Sequence, residues 1–298
     1  MFDNVVIGVD GRSGGRDAIA LAKQLAAPDA RVTLAHVYGS EGMLGRGGGI
    51  VAAAGRTYSE QMLEHERETA SLEAELTVVL GRAVGRALHE LAEHHHVDLL
   101  VLGSCHRGAI GRVLVGNDAL ATLNGARCAV AIAPAGYERE ASRLAAVGVG
   151  EDGSPESTLA LRAALELGKR FGAAVRAMSV VALQSVASDE PTPADWTDAT
   201  QRRLREENAR LNSILGVGGE AVYGEPSDEL ARLSEHVDLL VVGSRGYGSL
   251  GRLMNGSTSN YLAGHVHCPL LVLPRPKSAS AETGDSAGSA TEAVEASG

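Results

Sequence analysis

With 298 residues, 44% of them apolar, the chain can build one large core or two of ordinary size, and aromatic residues at 3% make those cores aliphatic. A formal charge of −10 and a pI near 5.5 argue against a nucleic-acid groove and a polybasic membrane patch. No stretch reaches the roughly 18 apolar residues of a membrane span, the three cysteines form no CxxC pair, and no leader pattern opens the chain, so a cytoplasmic location is expected.

In chain order, Val5–Val9 reads as a short buried strand ending at Asp10, and Asp17–Ala26 as a helix with an aliphatic face. Arg31–Tyr38 is a second strand. Gly39–Arg56 is glycine-rich without periodicity and reads as a loop. A helix over Ser59–Leu72 and a strand over Leu76–Leu80 follow, then helix Arg82–Glu93, strand Leu99–Gly103, helix Asn117–Asn124 and strand Ala129–Ala133. The same order then recurs, with a strongly charged helix over Asp195–Leu215.

The recurrence is a duplication. His96–Pro134 and His236–Pro274 align without a gap at an offset of 140 (236 − 96), sharing HVDLL, the glycines, a Gly-Arg pair, a cysteine and the closing proline. Val5–Ala18 matches Val147–Ala160 at an offset of 142 (147 − 5). Continuous apolar strands joined by helices imply a parallel sheet covered on both faces, doubly wound in each half. The boundaries read as residues 1–138, 143–276 and a polar tail over 277–298. That tail carries about −3 of the charge (Glu282, Asp285, Glu292 and Glu295 against Lys277) and is expected to be disordered.

The sharpest local signal is Gly243-Ser244-Arg245-Gly246, then nine residues, then Gly256-Ser257-Thr258. It follows an apolar strand and precedes a helix. Ligands of doubly wound sheets sit beyond the carboxyl ends of the strands. Glycines there let backbone N–H groups approach phosphate oxygens, and Ser257 and Thr258 would add hydroxyls at a helix start. The plain alternative is that these glycines only make tight turns.

The spacing G-x2-G-x9-G-S after DLLVVGSRG, with Val9-Asp10-Gly11, His36-Val37 and CPLLVLP at Cys268–Pro274, resembles the universal stress protein family over nearly the whole chain. The resemblance implies a five-stranded parallel sheet of order 3-2-1-4-5 in each half, of the adenine nucleotide alpha hydrolase-like type, that binds ATP or AMP, with or without Mg2+. It implies that Asp152 lies beside ribose and adenine, that Val180 meets the adenine edge through its backbone, that Gly243 and Ser244 approach the ribose end, and that Gly246, Gly256, Ser257 and Thr258 hold phosphates. The first half keeps Asp10, Val37, Gly103 and Gly116, but His106 stands in place of Gly246 and Asn117 in place of Ser257. A side chain at 106 narrows the phosphate approach and disfavours a positive φ, so the first half is expected to bind more weakly. The resemblance also implies a stress role and pairing of the two last strands, as a pseudo-dimer within the chain and in a homodimer of chains.

Other readings stay open. No GxxxxGK[ST] is present, and Lys23, Lys169 and Lys277 lie away from the glycine loop, so binding with at most slow hydrolysis is expected. Ser13-Gly14-Gly15-Arg16-Asp17 fits the SGGxD loop of pyrophosphatase-type ATP enzymes, although Ala18 follows it and the duplicate lacks it. A partner-binding stress protein without nucleotide is the third reading. His94-His95-His96 and His265-Val266-His267-Cys268 read as helix-end and core residues rather than metal ligands, and Cys105 in the first glycine loop is expected to be exposed.

Overall fold

The computed structural model describes residues 2–39, 48–104, 116–140, 143–182, 193–214, 216–244 and 257–274. The first half runs β1 (Phe2–Gly8), α1 (Ser13–Leu25), β2 (Ala26–Tyr38), α2 (Gly48–Thr69), β3 (Glu75–Leu80), α3 (Val84–His94), β4 (Leu99–Gly103), α4 (Asn117–Leu123) and β5 (Ala129–Ala133). A short α5 (Tyr137–Glu140) leads to the second half: β6 (Ala146–Gly150), α6 (Pro155–Phe171), β7 (Ala174–Val181), α7 (Pro193–Asn212), β8 (Val217–Tyr223), α8 (Pro226–Leu233), β9 (Leu239–Gly243), α9 (Ser257–His265) and β10 (Leu270–Leu273).

All ten strands form one sheet of order β3-β2-β1-β4-β5-β10-β9-β6-β7-β8. Each half has the expected 3-2-1-4-5 order with parallel neighbours. The halves meet where β5 and β10 run antiparallel, with Leu271 opposite Ala131, Leu270 opposite Ile132 and Val272 opposite Val130. The pairing expected of the two last strands is therefore present within the chain.

Strand alternation divides the core between the two faces. Val5, Ile7, Leu99, Val101, Ala131, Val147, Leu239 and Leu271 pack under α1 and α6 in one cluster that crosses from half to half. Val6, Leu100, Val130, Ile132, Leu240, Leu262 and Val272 form the other. The repeated HVDLL now has its explanation: Asp98 accepts the N–H of Asp3 at 2.7 Å and of Asn4 at 3.2 Å, and Asp238 accepts those of Ala145 and Ala146 at 2.7 and 2.8 Å. Each aspartate ties its own strand to the start of the half's first strand. Burial pushes the Asp98 carboxyl up, opposed by those N–H donors.

Two expectations need correction. The glycine-rich stretch assigned to a loop as far as Arg56 is helical from Gly48, because Ala52–Ala54 and the following residues are good helix formers once the helix docks on β2 and β3. The second strand begins at Ala26 rather than Arg31. Phe2 faces Ala26 and Asn4 faces Arg31, so the pairing is interrupted around Pro28, which has no N–H to offer.

The linker is held to α1. Asp17, buried, accepts the N–H of Gly136 at 2.9 Å and of Glu138 at 2.8 Å, and the Tyr137 hydroxyl donates to Gln24 Oε1 at 3.0 Å. Burial pushes Cys128 up to about 12 and Tyr137 up to about 12, the latter against its bond to Gln24, and raises Cys268 as well. Unfolded cysteine and tyrosine ionise near about 8.5 and 10. The folded state thus keeps protons that the unfolded chain releases: the stabilisation is whole below about pH 8 and falls as pH rises toward 12. Urea denaturation across this range should show that decline. In Tyr137→Phe the slope above about pH 10 should be shallower, beside a loss of about 0.5–1.5 kcal/mol at neutral pH from the missing hydrogen bond.

Candidate functional site

Each half builds the same turn after its first strand. Asp10 Oδ1 accepts the N–H of Arg12 at 3.1 Å around Gly11 (φ 73°), and Asp152 Oδ1 accepts that of Ser154 at 3.0 Å around Gly153 (φ 80°). An aspartate that bonds the backbone two residues on, followed by glycine in the left-handed region, turns the chain sharply into the next helix. α6 starts with the Ser154 side chain accepting the N–H of Ser157 at 3.1 Å and Pro155 in the first turn.

The helix then packs directly on the end of the fourth strand. A Cβ on Gly103 would lie 1.8 Å from the Gly14 carbonyl oxygen, and one on Gly243 would lie 2.5 Å from the Glu156 carbonyl. Both glycines are therefore required by backbone packing. Ser104 and Ser244 come next. Their N–H groups donate to Ala133 and Leu273 at 2.9 Å, and both hydroxyls are buried with no hydrogen-bond partner among the described residues. An unpaired buried hydroxyl costs stability unless something else meets it.

In the first half these elements enclose a cavity of about 250 Å3. Asp10, Val37, Gly103, Ser104 and Gly116 line it, with Leu88 from α3 and Thr122 from α4. The structure thus brings together all four residues singled out in the first half. His36 sits at the same opening, its Nδ1 2.7 Å from the Val9 carbonyl oxygen. In the second half, Asp152, Val180, Gly243 and Ser244 hold the matching places on the turn after β6, on β7 and at the end of β9, while Ser257 and Thr258 open α9. Gly246, Gly256, His106 and Cys105 lie outside the described residues.

The two clefts differ in ways that motif reading missed. Where the first half has Val9, the second has Glu151, a buried carboxylate that accepts from Ser157 Oγ at 3.0 Å and Gly153 N at 3.1 Å and pairs with Arg210 of α7. Arg210 also pairs with Glu207 at 2.8 Å, and Ser179 Oγ donates to Glu207 at 3.1 Å. Burial works against the Arg210 charge, but Glu207 and Glu151 outweigh it and raise its pKa. Where the first half has Gly14, the second has Glu156, also buried. The only trace in the sequence is Glu for Val before the shared aspartate and Glu for Gly in the helix start.

Asp17, the acid of the SGGxD reading, spends its two oxygens on the linker. The histidines of the two clusters have other neighbours: His94 and His95 tilt against each other at 4.9 Å, and His265 stacks on Tyr261 at 3.8 Å. Among the described residues no three His, Cys, Asp or Glu side chains gather as a metal site, and no helix is long and apolar enough to cross a membrane.

Because the close approaches are to backbone, Gly243→Ala should cost about 1–3 kcal/mol and Gly103→Ala about 3 kcal/mol or more in urea denaturation. Equal stability in Gly103→Ala and the parent would show that the α1 start is not packed on β4 as described.

The universal stress protein family model matches the chain twice, over residues 1–134 and 145–274. Universal stress proteins of Mycobacterium tuberculosis and Mycobacterium bovis are 31% identical over 189 residues, 60% of this chain. The match spans 62% of the length of those relatives. One from Methanocaldococcus jannaschii is 28% identical over 136 residues, 42% of this chain and 79% of its own. Among solved structures, a universal stress protein from Archaeoglobus fulgidus superposes with a TM-score of 0.67 at 19% identity, covering 92% of this chain and 99% of that one. A protein of unknown function from Pseudomonas aeruginosa superposes with a TM-score of 0.61 at 11% identity, covering 91% and 92%. Those two likenesses are likenesses of fold.

Proposed function

Since the chain belongs to the universal stress protein family, we propose that it is a regulatory stress-response module that binds an adenine nucleotide, ATP or AMP, mainly in its second half. The observation that carries this reading is the cleft beyond the carboxyl ends of β1 and β4, where an aspartate turn, a glycine strand end and a buried serine hydroxyl with no partner among the described residues meet in one cavity. Such a cleft has apolar walls for a flat base and a few polar groups to orient it. The second half repeats the aspartate, the glycine and the serine as Asp152, Gly243 and Ser244.

Preference for the second half rests on the residues that follow. Gly246 and Gly256 carry no side chain to bar a phosphate from the backbone, and Ser257 and Thr258 stand at the start of α9. The first half has His106 and Asn117 at the positions of Gly246 and Ser257. Mg2+ enters the proposal as the counter-ion of a triphosphate chain. Domain limits at 138 and 143, a cytoplasmic setting, and a homodimer beyond the internal strand pairing belong to the same proposal. The Asp17 contacts favour binding over the SGGxD type of catalysis, since its carboxylate is engaged in structure.

Calorimetric titration with ATP, AMP and GTP tests the proposal. ATP should bind at least about tenfold more tightly than GTP, a difference of about 1.4 kcal/mol, and chelating Mg2+ should weaken ATP more than AMP. Asp152→Ala should weaken binding by about tenfold and Ser244→Ala by about two- to tenfold. Asp10→Ala, which breaks the same turn in the first half, should change the affinity by less than about twofold. No heat with any adenine nucleotide at millimolar concentration would overturn the proposal. A loss in Asp10→Ala alone would move the site to the first half.

A further inference from the structure

The duplication gives the seam between the halves an internal control. On one side of the seam α1 meets the end of β5, and the linker fills the space: the Tyr137 ring is buried, with its hydroxyl on Gln24 and its flanking N–H groups on Asp17. On the other side α6 meets the end of β10. There Leu159, Ala163 and Leu167 of α6, Cys128 and Ala129 at the start of β5, and Leu273 bound a cavity of about 530 Å3.

The chain does not repeat its own plug. By the offset of the helices, Leu159 stands where Asp17 stands and Glu166 where Gln24 stands (159 − 17 and 166 − 24 both give 142). By the offset of the last strands, Lys277 stands where Tyr137 stands (277 − 137 gives 140). No aromatic residue follows Pro274 in the sequence, and the carboxylate that anchors the turn is replaced by Leu159. Among the described residues the counterpart niche is a chamber with mainly apolar walls, Phe2 among them, and a hydrogen-bond acceptor at the place where the tyrosine hydroxyl is received in the other half.

We propose that this seam cavity is a binding site for a small neutral phenol-type molecule, whose ring takes the place of Tyr137 and whose hydroxyl donates to Glu166. The volume falls within the few hundred to about 1,000 Å3 of small-molecule sites. A carboxylate accepts several hydrogen bonds at once, so Glu166 can receive the phenol beside any other contact it makes. The rim balances Arg127 and Arg162 against Asp98 and Glu166, which favours a neutral ligand over a charged one. Burial keeps the Cys128 thiol protonated at neutral pH, so the inner wall carries no charge. The site is separate from the nucleotide cleft and does not rest on the nucleotide reading.

The probe is p-cresol, the side-chain analogue of tyrosine, titrated into the full chain and followed by amide NMR shifts and by Tm. Saturable shifts at Ala129, Ala163 and Leu167, with a rise in Tm, are expected. Ala163→Trp should abolish both by filling the chamber. Glu166→Leu, on the exposed side of α6 and harmless to the core, should weaken p-cresol by about tenfold while leaving toluene, which has no donor, unaffected. Glu166→Gln should bind p-cresol as the parent does. Absent shifts, shifts centred on the Asp10 cleft, or equal p-cresol affinity in Glu166→Leu and the parent would overturn the proposal. So would a markedly tighter fit of p-cresol to a chain ending at Pro274, because the residues that follow would then be the native occupant.

Discussion

Three antiparallel residue pairs between β5 and β10 govern where every other element lies. Within each half all strand neighbours are parallel, so this one ladder reverses the direction of the sheet as a whole. The carboxyl ends of the first half's strands therefore point opposite to those of the second, and the two clefts open at opposite edges. Without the ladder, two apolar edges, Ala129–Ala133 and Leu270–Leu273, would face solvent with unpaired backbone groups and invite association with other chains. Their union also lets one buried cluster run beneath α1 and α6 across both halves. The seam is thus core rather than a contact between finished domains.

A duplicated chain holds one backbone and lets its side chains diverge, and the divergence here is concentrated around the strand ends. Val9 and Glu151 occupy one position, buried in both halves, yet one belongs to an aliphatic cluster and the other to an ion network reaching to α7. A buried carboxylate is tolerated because Arg210, Ser157 and a backbone N–H all meet it. His36 and Ser179 share the next strand, one bonded to the Val9 carbonyl and the other to Glu207. The second half thus ties its first two strands to α7 through charge, while in the first half the buried Glu66 of α2 pairs instead with Arg16 of α1 at 3.3 Å.

The strand runs and the repeat were legible because each depends on residues near in sequence, DLLVL and DLLVV announcing a buried strand wherever they fall. The 3-2-1-4-5 order joins strands far apart in the chain, Val5 beside Leu99 among them, and came only with the family resemblance. The helical start at Gly48 was not legible, since a glycine-rich stretch becomes helix only by docking on β2 and β3. Pro28 hid the early beginning of β2, because Ala26–Ala30 has no apolar alternation and the pairing breaks between Phe2–Ala26 and Asn4–Arg31. The buried pairing of Glu151 was not legible, for its partner Arg210 lies 59 residues away on another helix. The burial of the Ser104 and Ser244 hydroxyls and the seam cavity were out of reach for a similar reason. Both depend on which distant elements pack around a residue, and not on its neighbours in the sequence.

Gly103 and Gly243 are small because the first turn of the helix that follows each half's first strand, α1 or α6, rests on them backbone to backbone. That contact sets where the helix begins against the carboxyl ends of the strands. A side chain at either position would push the helix start away from the strand end, so the missing Cβ is a demand of packing between two elements far apart in the chain, and the tight approach it permits is what draws the aspartate turn and the fourth strand together in each half.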